Sequence, residues 1–505
     1  MDHFIVQAIG EVLAFDTLLL IVLGTICGVI AGSIPGFTVT MGVVLAFPFT
    51  FAMDATSGLA LMISILVGGY AGGMISGIML GIPGTPSSIA TVFDGHPMAR
   101  KGEPGRAMGI AIGASFLGTM FSVGILVAIA PLVARFSLNF GPWEITALVV
   151  FAITLVGSLS AGAMLMGCIA GVFGLLIATT GVSPGGQVRF NFGLEALSSG
   201  VNMLPVLIGV FAFSQLMDAI EPKKEATSAA DMAAERKRLA ARIEIPYARI
   251  LRDLASQKLN LIRSSLIGSV IGAIPAVGGT AANFVSYDQA KKFSRTPEEF
   301  GKGTPAGIVA TEASNSALIG GALIPTLTLG IPGSLTMAIM YGVFILHGLN
   351  PGPRLFVDQP VLIGSIYVSI VVAGFVMLIS MLLLIRVFAR ISRIPIEILM
   401  PLVLMLACVG AYALNSSMID VWTLLVFGIV GYLFAKAGVP LAPLILGVVL
   451  GPSLEVNFFR ALQLDPDPMT FLTRPISGTL VAITVLSVVL AAWQGTRKLR
   501  AANAE

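Results

Sequence analysis

Long apolar runs separated by short polar clusters dominate the chain. They fall near 14–33, 38–53, 58–82, 107–133, 145–180, 200–220, 259–277, 304–347, 361–385, 396–414, 418–435, 440–452 and 475–493. A helix crossing the hydrocarbon core of a bilayer needs about 20 such residues. The runs 145–180 and 304–347 are long enough for two segments each. The pattern predicts an all-α, polytopic integral membrane protein of about 10–12 helical segments. The longest polar stretch, 221–258, is rich in Ala, Glu, Lys and Arg and reads as a charged cytoplasmic linker. It separates a first membrane half, 1–220, from a second, 259–495, which a tail at 496–505 follows.

Composition agrees. Hydrophobic residues make up 56 % of the 505 and charged residues 11 %, under half the share of a typical soluble domain. A soluble enzyme and a nucleic-acid binder are excluded. The three cysteines, Cys27, Cys168 and Cys408, lie in apolar runs and are expected to be buried thiols. No histidine cluster has metal-ligand spacing, and no phosphate-cradling GxxxxGK[ST] loop occurs. The first residues carry Asp2, Glu11 and Asp16 and no basic n-region, so no cleavable signal is expected.

The placement of charge sets a topology. The first Lys or Arg is Arg100. Basic residues favour the cytoplasmic side, which assigns 94–106, 221–263, 291–302, 386–393, Lys436 and 497–500 to the inside. Of the 29 Lys and Arg, this leaves outside only Arg135, Arg189, Arg354, Arg460 and Arg474. The N-terminus is then periplasmic and the C-terminus cytoplasmic.

Two stretches recur. Gly28–Gly36 reads GVIAGSIPG and Gly268–Ala276 reads GSVIGAIPA, 240 residues apart. Leu80–Thr85 reads LGIPGT and Leu329–Ser334 reads LGIPGS, 249 residues apart. With the charge topology, the first copy runs from outside to inside and the second from inside to outside. Inverted repeats are a frequent architecture of secondary transporters, with the site at the midplane between the copies. The segment 259–302 starts and ends in basic clusters and so crosses an even number of times. A re-entrant hairpin tipped at Pro275–Thr280, mirrored by one at 14–54 tipped at Pro35–Thr40, fits; two full crossings give the same parity. The LGIPG motifs would break two spanning helices.

Pro and Gly free backbone groups that must find partners inside a membrane. Hydroxyls cluster there: Ser33, Thr38, Thr40, Thr85, Ser87, Ser88, Thr280, Thr328, Ser334 and Thr336. One reading is that they satisfy a kink. The other is a binding site, in which half-helix N-termini and hydroxyls hold a carboxylate and unwound carbonyls hold Na⁺. On the second reading the substrate-binding residues are Ser33, Pro35, Gly36, Thr38, Thr40, Pro83, Gly84, Thr85, Ser87, Ser88, Pro275, Gly278, Gly279, Thr280, Pro332, Gly333 and Ser334. Glu312 sits in the small, apolar run GIVATEASNSALIGG. An acid at membrane depth is costly and marks an ion or proton site; alternatively, with Lys302 ten residues away, it lies at the membrane edge. Asn315 and Ser316 share its helical face, and Asn283 is a further candidate for ion coupling, whereas Asp94 is expected at the cytoplasmic surface. No cofactor is expected beyond a coupling ion, Na⁺ or H⁺. Small-xxx-small pairs such as Gly28/Gly32 and Gly268/Gly272 are read as helix packing.

The motifs GSIPGFTVTMGVVLAFPFTF, GGYAGGMISGIMLGIPGTPSSIATVFDGHPMARKGEPGRAMGIA, IGAIPAVGGTAANFVSYDQAKKFS and FGKGTPAGIVATEASNSALIGGALIPTLTLGIPGS resemble the large, TctA-type subunit of the tripartite tricarboxylate transporters over about 10–495. The resemblance implies a bacterial inner-membrane protein that is not an enzyme. It implies two partners, a small four-helix TctB-type membrane subunit and a periplasmic TctC-type solute-binding protein. It also implies secondary uptake of citrate or related organic carboxylates, driven by a Na⁺ or proton gradient. Alternating access is expected to be elevator-like or rocking, with 145–220 and 396–493 as a static scaffold by analogy. A channel, or an intramembrane enzyme, is the competing reading.

Overall fold

The computed structural model describes residues 2–159, 164–214, 217, 244–275, 277–391 and 396–502. The linker residues 221–243, Ala276 of the second repeat motif and the last residues of the tail lie outside them. The main helices are α1 (Asp2–Val12), α2 (Phe15–Ser33), α3 (Val39–Ala46), α4 (Ala55–Leu80), α5 (Ile89–Arg100), α6 (Pro104–Ser137), α7 (Pro142–Leu159) and α8 (Met164–Ala178). They continue with α9 (Tyr247–Ser256), α10 (Lys258–Gly272), α11 (Gly278–Lys292), α12 (Pro305–Leu329), α13 (Leu335–Leu346), α14 (Pro360–Ile391) and α15 (Ile396–Asn415). The last three are α16 (Met418–Lys436), α17 (Leu441–Leu464) and α18 (Pro475–Ala502). Among the described residues, α2, α4, α6, α12, α14, α16 and α17 are long and apolar enough to cross a membrane. The protein is an all-α, polytopic membrane protein.

The chain divides into two compact units, each drawn from both halves of the sequence. One comprises Met1–Ala134 and Ala219–Ala407, the other Arg135–Asp218 and Cys408–Glu505.

Both repeat copies lie in the first unit. In copy one, α2 runs alongside α4 in the same direction. Gly24 faces Leu61 and Ser64, Gly28 faces Ile65 and Gly69, and Gly32 faces Gly69 and Gly73. A Cβ on Gly28 or Gly32 would stand 2.3 and 2.1 Å from a carbonyl oxygen of α4, so only glycine lets these backbones meet. After a turn at Ser33–Thr38 the chain reverses: Val39 faces Gly69 and Gly42 faces Ile65. The α2–α3 pair is therefore a hairpin that leaves by the end it entered. The hydroxyls of Thr17 and Ser57, 3.2 Å apart, put the start of α2 beside the start of α4. Copy two repeats this. Gly268 and Gly272 of α10 face Ser314 and Leu318 of α12, and α11 returns past Leu318 at Gly279 to Gly307 at Tyr287.

The LGIPG motifs end one helix and start the next. Gly81 and Gly330 close α4 and α12 in the left-handed conformation, at φ +70° and +68°. The chain then doubles back, so that Gly84 N–H donates to Gly73 O at 3.3 Å. Thr85 and Ser334 cap the next helical segments: Thr85 forms a reciprocal capping box with Ser88, and Ser334 Oγ accepts from Met337 N–H at 3.2 Å. From there α5 runs parallel to the last turns of α4, with Val92 against Gly77 and His96 against Gly81.

The two copies run in opposite directions. The start of α4 meets the end of α13, where Gly58 faces His347. The start of α12 meets the end of α5, where Gly303 faces Met98. Met98 and His347 are counterparts under the 249-residue offset. One hairpin thus opens at the end of the unit marked by Asp54, the other at the end marked by Asp94.

In the second unit, α8 and α17 approach closely at Gly174 and Gly447, which face Leu444 O and Gly171 O. Glu144, 2 % exposed, accepts from Arg474 Nε–H at 2.6 Å, and that guanidinium stacks 4.5 Å above the Trp143 ring. A two-residue antiparallel pair, Gly181–Val182 with Val188–Arg189, precedes the short helix Met203–Ile208.

The cysteines correct an expectation: Cys27 is exposed and Cys168 and Cys408 are half-buried. An apolar run in such a chain faces outward as well as inward, so an apolar neighbourhood in sequence does not imply burial.

Candidate functional site

The candidate substrate-binding and ion-coupling residues fall in the first unit, the former around the four helix breaks. Within each repeat the hairpin arm packs on the break. A Cβ on Gly84 would meet Gly32 O at 2.1 Å and Gly73 Cα at 3.0 Å. A Cβ on Gly333 would meet Gly272 O at 3.0 Å and Ala322 Cα at 2.8 Å. Under the offsets of 240 and 249 these are the same contacts.

Between repeats the breaks are paired crosswise. Thr40, at the tip of the first hairpin, lies 2.9 Å from Thr336 at the second break, hydroxyl to hydroxyl. Thr280, its counterpart at the second tip, donates to Pro86 O at the first break at 3.1 Å. Asn283, a turn along α11, donates to Ser87 O. Ser87 is the 249-residue counterpart of Thr336. Each hairpin tip therefore touches the broken helix of the opposite repeat.

Four helical segments begin here: α3, α11, α13 and the turn Pro86–Ser88 that leads into α5. Their N-terminal N–H groups and dipoles favour an anion. The capping hydroxyls are engaged locally: Thr38 Oγ1 accepts from Met41 N–H at 3.3 Å, Ser33 donates to Ile30 O, and Thr85 and Ser87 bond to one another. Satisfaction of the kinks thus accounts for these hydroxyls as they stand. Gly36, Gly278 and Pro86 are exposed, and Pro35, Pro83, Pro275, Gly279 and Thr280 are half-buried, so the tips are accessible. Gly84, Thr85, Ser87, Ser88, Pro332 and Gly333 are buried beneath them.

Glu312 is fully buried in α12. Its Oε1 accepts from Thr91 Oγ1 of α5 at 2.5 Å, and its Oε2 has no partner among the described residues. Asn315 donates from Nδ2 to Tyr70 O of α4 at 3.0 Å, and its Oδ1 is likewise unpartnered. Ser316 is committed elsewhere, 2.5 Å from Ser115 of α6. Asn283 Oδ1 has no partner among the described residues. Thr91 was missed in the sequence.

Asp94 corrects an expectation. It is completely buried rather than at the surface. Its Oδ1 accepts from the backbone N–H groups of Gly301, Gly303 and Thr304, at 3.0, 2.7 and 2.9 Å, and its Oδ2 from Tyr287 Oη at 2.9 Å. A carboxylate from repeat one thereby holds the loop that leads into α12 of repeat two, together with the returning arm of the second hairpin. Its neighbour His96 also lies within α5, its Nδ1 3.0 Å from Ile78 O.

Two other features lie apart. Among the described residues no group of three or more His, Cys, Asp or Glu is placed to hold a metal ion. In the second unit, an apolar pocket of about 420 Å³ is lined by Leu176, Phe190, Phe192, Trp422 and Phe427 among others, with no charged residue. It does not suit a carboxylate.

Opposed hairpins, crossed with two antiparallel broken helices in a polytopic helical protein, are an arrangement that inverted-repeat transporters share. Residues 18–446 match the tripartite tricarboxylate transporter TctA family, and the chain belongs to it. It is a membrane subunit of a transporter of that tripartite class. Two similar proteins come from Agrobacterium vitis. One is an uncharacterised 52.8 kDa protein in the TAR-I ttuC′ 3′ region, 34 % identical over 485 residues, covering 94 % of this chain and 93 % of that protein. The other, an uncharacterised protein in the TAR-II ttuC′ 3′ region, is 37 % identical over 234 residues, covering 46 % of this chain and 97 % of that protein. No solved structure matches.

Proposed function

We propose that this chain is the carboxylate-translocating subunit of a binding-protein-dependent secondary transporter. One site lies between the crossed tips. Main-chain N–H groups at the starts of α3, α5, α11 and α13 hold the carboxylates of citrate or a related di- or tricarboxylate. Thr40, Thr280, Ser87 and Ser334 line it, and the Pro and Gly of each motif keep the backbone open. The observation that carries this reading is the crosswise pairing of Thr40 with Thr336 and of Thr280 with Pro86. It pairs the start of α3 with that of α13 and the start of α11 with the turn leading into α5, with no arginine in any of the four motifs, so dipoles supply the positive potential.

A periplasmic solute-binding protein delivers the substrate, and a small membrane subunit completes the complex. A Na⁺ or proton gradient drives uptake, and elevator-like alternating access moves the site. The Asp94 end, next to the basic clusters 94–106 and 291–302, faces the cytoplasm, with the N-terminus periplasmic and the C-terminus cytoplasmic. The test is uptake of labelled citrate into liposomes holding the chain and its small partner. Accumulation is expected only with both a binding protein and an ion gradient. Uptake without any gradient contradicts secondary transport, and steady flux without a binding protein indicates a channel.

A further inference from the structure

The two repeats superpose their contacts but not their polarity, and the difference falls at one place. Glu312, Asn315, Asn283 and Thr91 are all buried polar residues of the second hairpin and the helices around it. Their counterparts under the repeat offsets are Ile63, Leu66, Val43 and Met340, each completely buried. One repeat fills this position with hydrocarbon; the other fills it with a carboxylate and two amides.

The polar set has a surplus of acceptors. Glu312 Oε2, Asn315 Oδ1 and Asn283 Oδ1 are three buried oxygens without a donor among the described residues. Native buried polar atoms are almost always paired, and a buried carboxylate without a counter-charge is costly. Glu312 has no ion-pair partner among the described residues. The three residues meet at one level. Along antiparallel α11 and α12, Gly279 faces Leu318 and Tyr287 faces Gly307, so Asn283, midway, stands opposite the Glu312–Asn315 turn. Asn283 and Glu312 also bond to residues of α5 and the turn before it, Ser87 and Thr91, one helical turn apart, a spacing of about 6 Å. A proton would satisfy one pair of oxygens. A hard monovalent cation satisfies all three and cancels the charge.

We infer a single Na⁺ site formed by the Glu312 carboxylate with the side-chain oxygens of Asn315 and Asn283, present in the second repeat only. The cation ties the returning arm of the second hairpin to α12, beside the helix start at Ser87. Ion binding therefore controls the hairpin that opens at the Asp94 end, while the first hairpin is held by apolar packing. Its role as coupling site rests on the transporter reading; binding itself does not.

The test is thermal unfolding of the purified full chain in detergent, titrated with NaCl against choline chloride at fixed pH and ionic strength. Wild type is expected to gain Tm saturably with Na⁺. Glu312→Gln abolishes the gain, and Asn283→Ala and Asn315→Ala each raise the half-saturating Na⁺ at least tenfold. Val43→Ala, at the mirrored position, leaves half-saturation within twofold. If Glu312→Gln does not fold, the two Asn variants decide. No Na⁺ effect in wild type, unchanged half-saturation in the Asn variants, or stabilisation that follows pH and not Na⁺ overturns the site. Citrate uptake by a protein with no Na⁺ effect would remove this site and leave the transporter reading intact. Na⁺ binding without any uptake would do the reverse.

Discussion

The hydroxyl of Thr40 lies 2.9 Å from that of Thr336, across 296 residues and from one repeat to the other. Thr280, the counterpart of Thr40, donates instead to Pro86 O at 3.1 Å, next to Ser87, the counterpart of Thr336. Tip and break are thus joined twice, and the joints lie where four helices begin.

If these joints position the site, removing one weakens transport more than stability. A hydroxyl pair of this kind contributes about 1 kcal/mol. Thr40→Val and Thr336→Val are each expected to lower uptake while Tm stays near wild type. The double variant is expected to be no worse than either single one, and an additive loss in a double-mutant cycle would contradict the pairing.

Pro83→Ala and Pro332→Ala are expected to impair uptake more than expression. Each restores a backbone donor at a break whose open chain the site requires. Wild-type uptake in a well-expressed double variant contradicts the site's location.

Gly84→Ala and Gly333→Ala differ in severity although they are counterparts. The added Cβ meets Gly32 O at 2.1 Å in the first and Gly272 O at 3.0 Å in the second. Overpacking of this kind costs about 1–3 kcal/mol, with Gly84→Ala at the upper end. Tm measurements on the two variants check the order.

Asp54 caps α4 by accepting from Ser57 N–H at 3.0 Å. Burial pushes its carboxyl up, but hydrogen bonds from Ser57 outweigh this and leave it below the ordinary 3.8. Because the folded value is the lower one, the stabilisation is present above pH 3.8 and is lost as pH falls through the folded value. Asp54→Ala is expected to cost about 1 kcal/mol near neutrality. Its Tm should converge on that of wild type in acid; a gap that widens there contradicts the cap.

Much of this architecture was legible in the chain. Pro and Gly punctuate the breaks, and the motif spelling LGIPG followed by Thr or Ser encodes a left-handed stop and a capped restart. The basic clusters at 94–106 and 291–302 gave the opposite sense of the two copies. Other features depend on contacts no local pattern carries. Asp94 sits six residues before Arg100 and so reads as surface, yet its partners are the N–H groups at 301–304 and Tyr287. Crosswise pairing of tips is a property of how the copies meet, not of either copy. Thr91 carried a usable signal that went unread. Laid on its counterpart Met340, it is polar against apolar, as Glu312 is against Ile63.

The central claim is one carboxylate site shared by both hairpin tips. It is tested most directly by single cysteines at Thr40 and at Thr280, with Cys27, Cys168 and Cys408 replaced by serine, labelled with a small charged thiol reagent. The account predicts that citrate or a related carboxylate protects both positions with the same half-maximal concentration. Protection of one tip alone, or of neither by any carboxylate that the complex takes up, would contradict it.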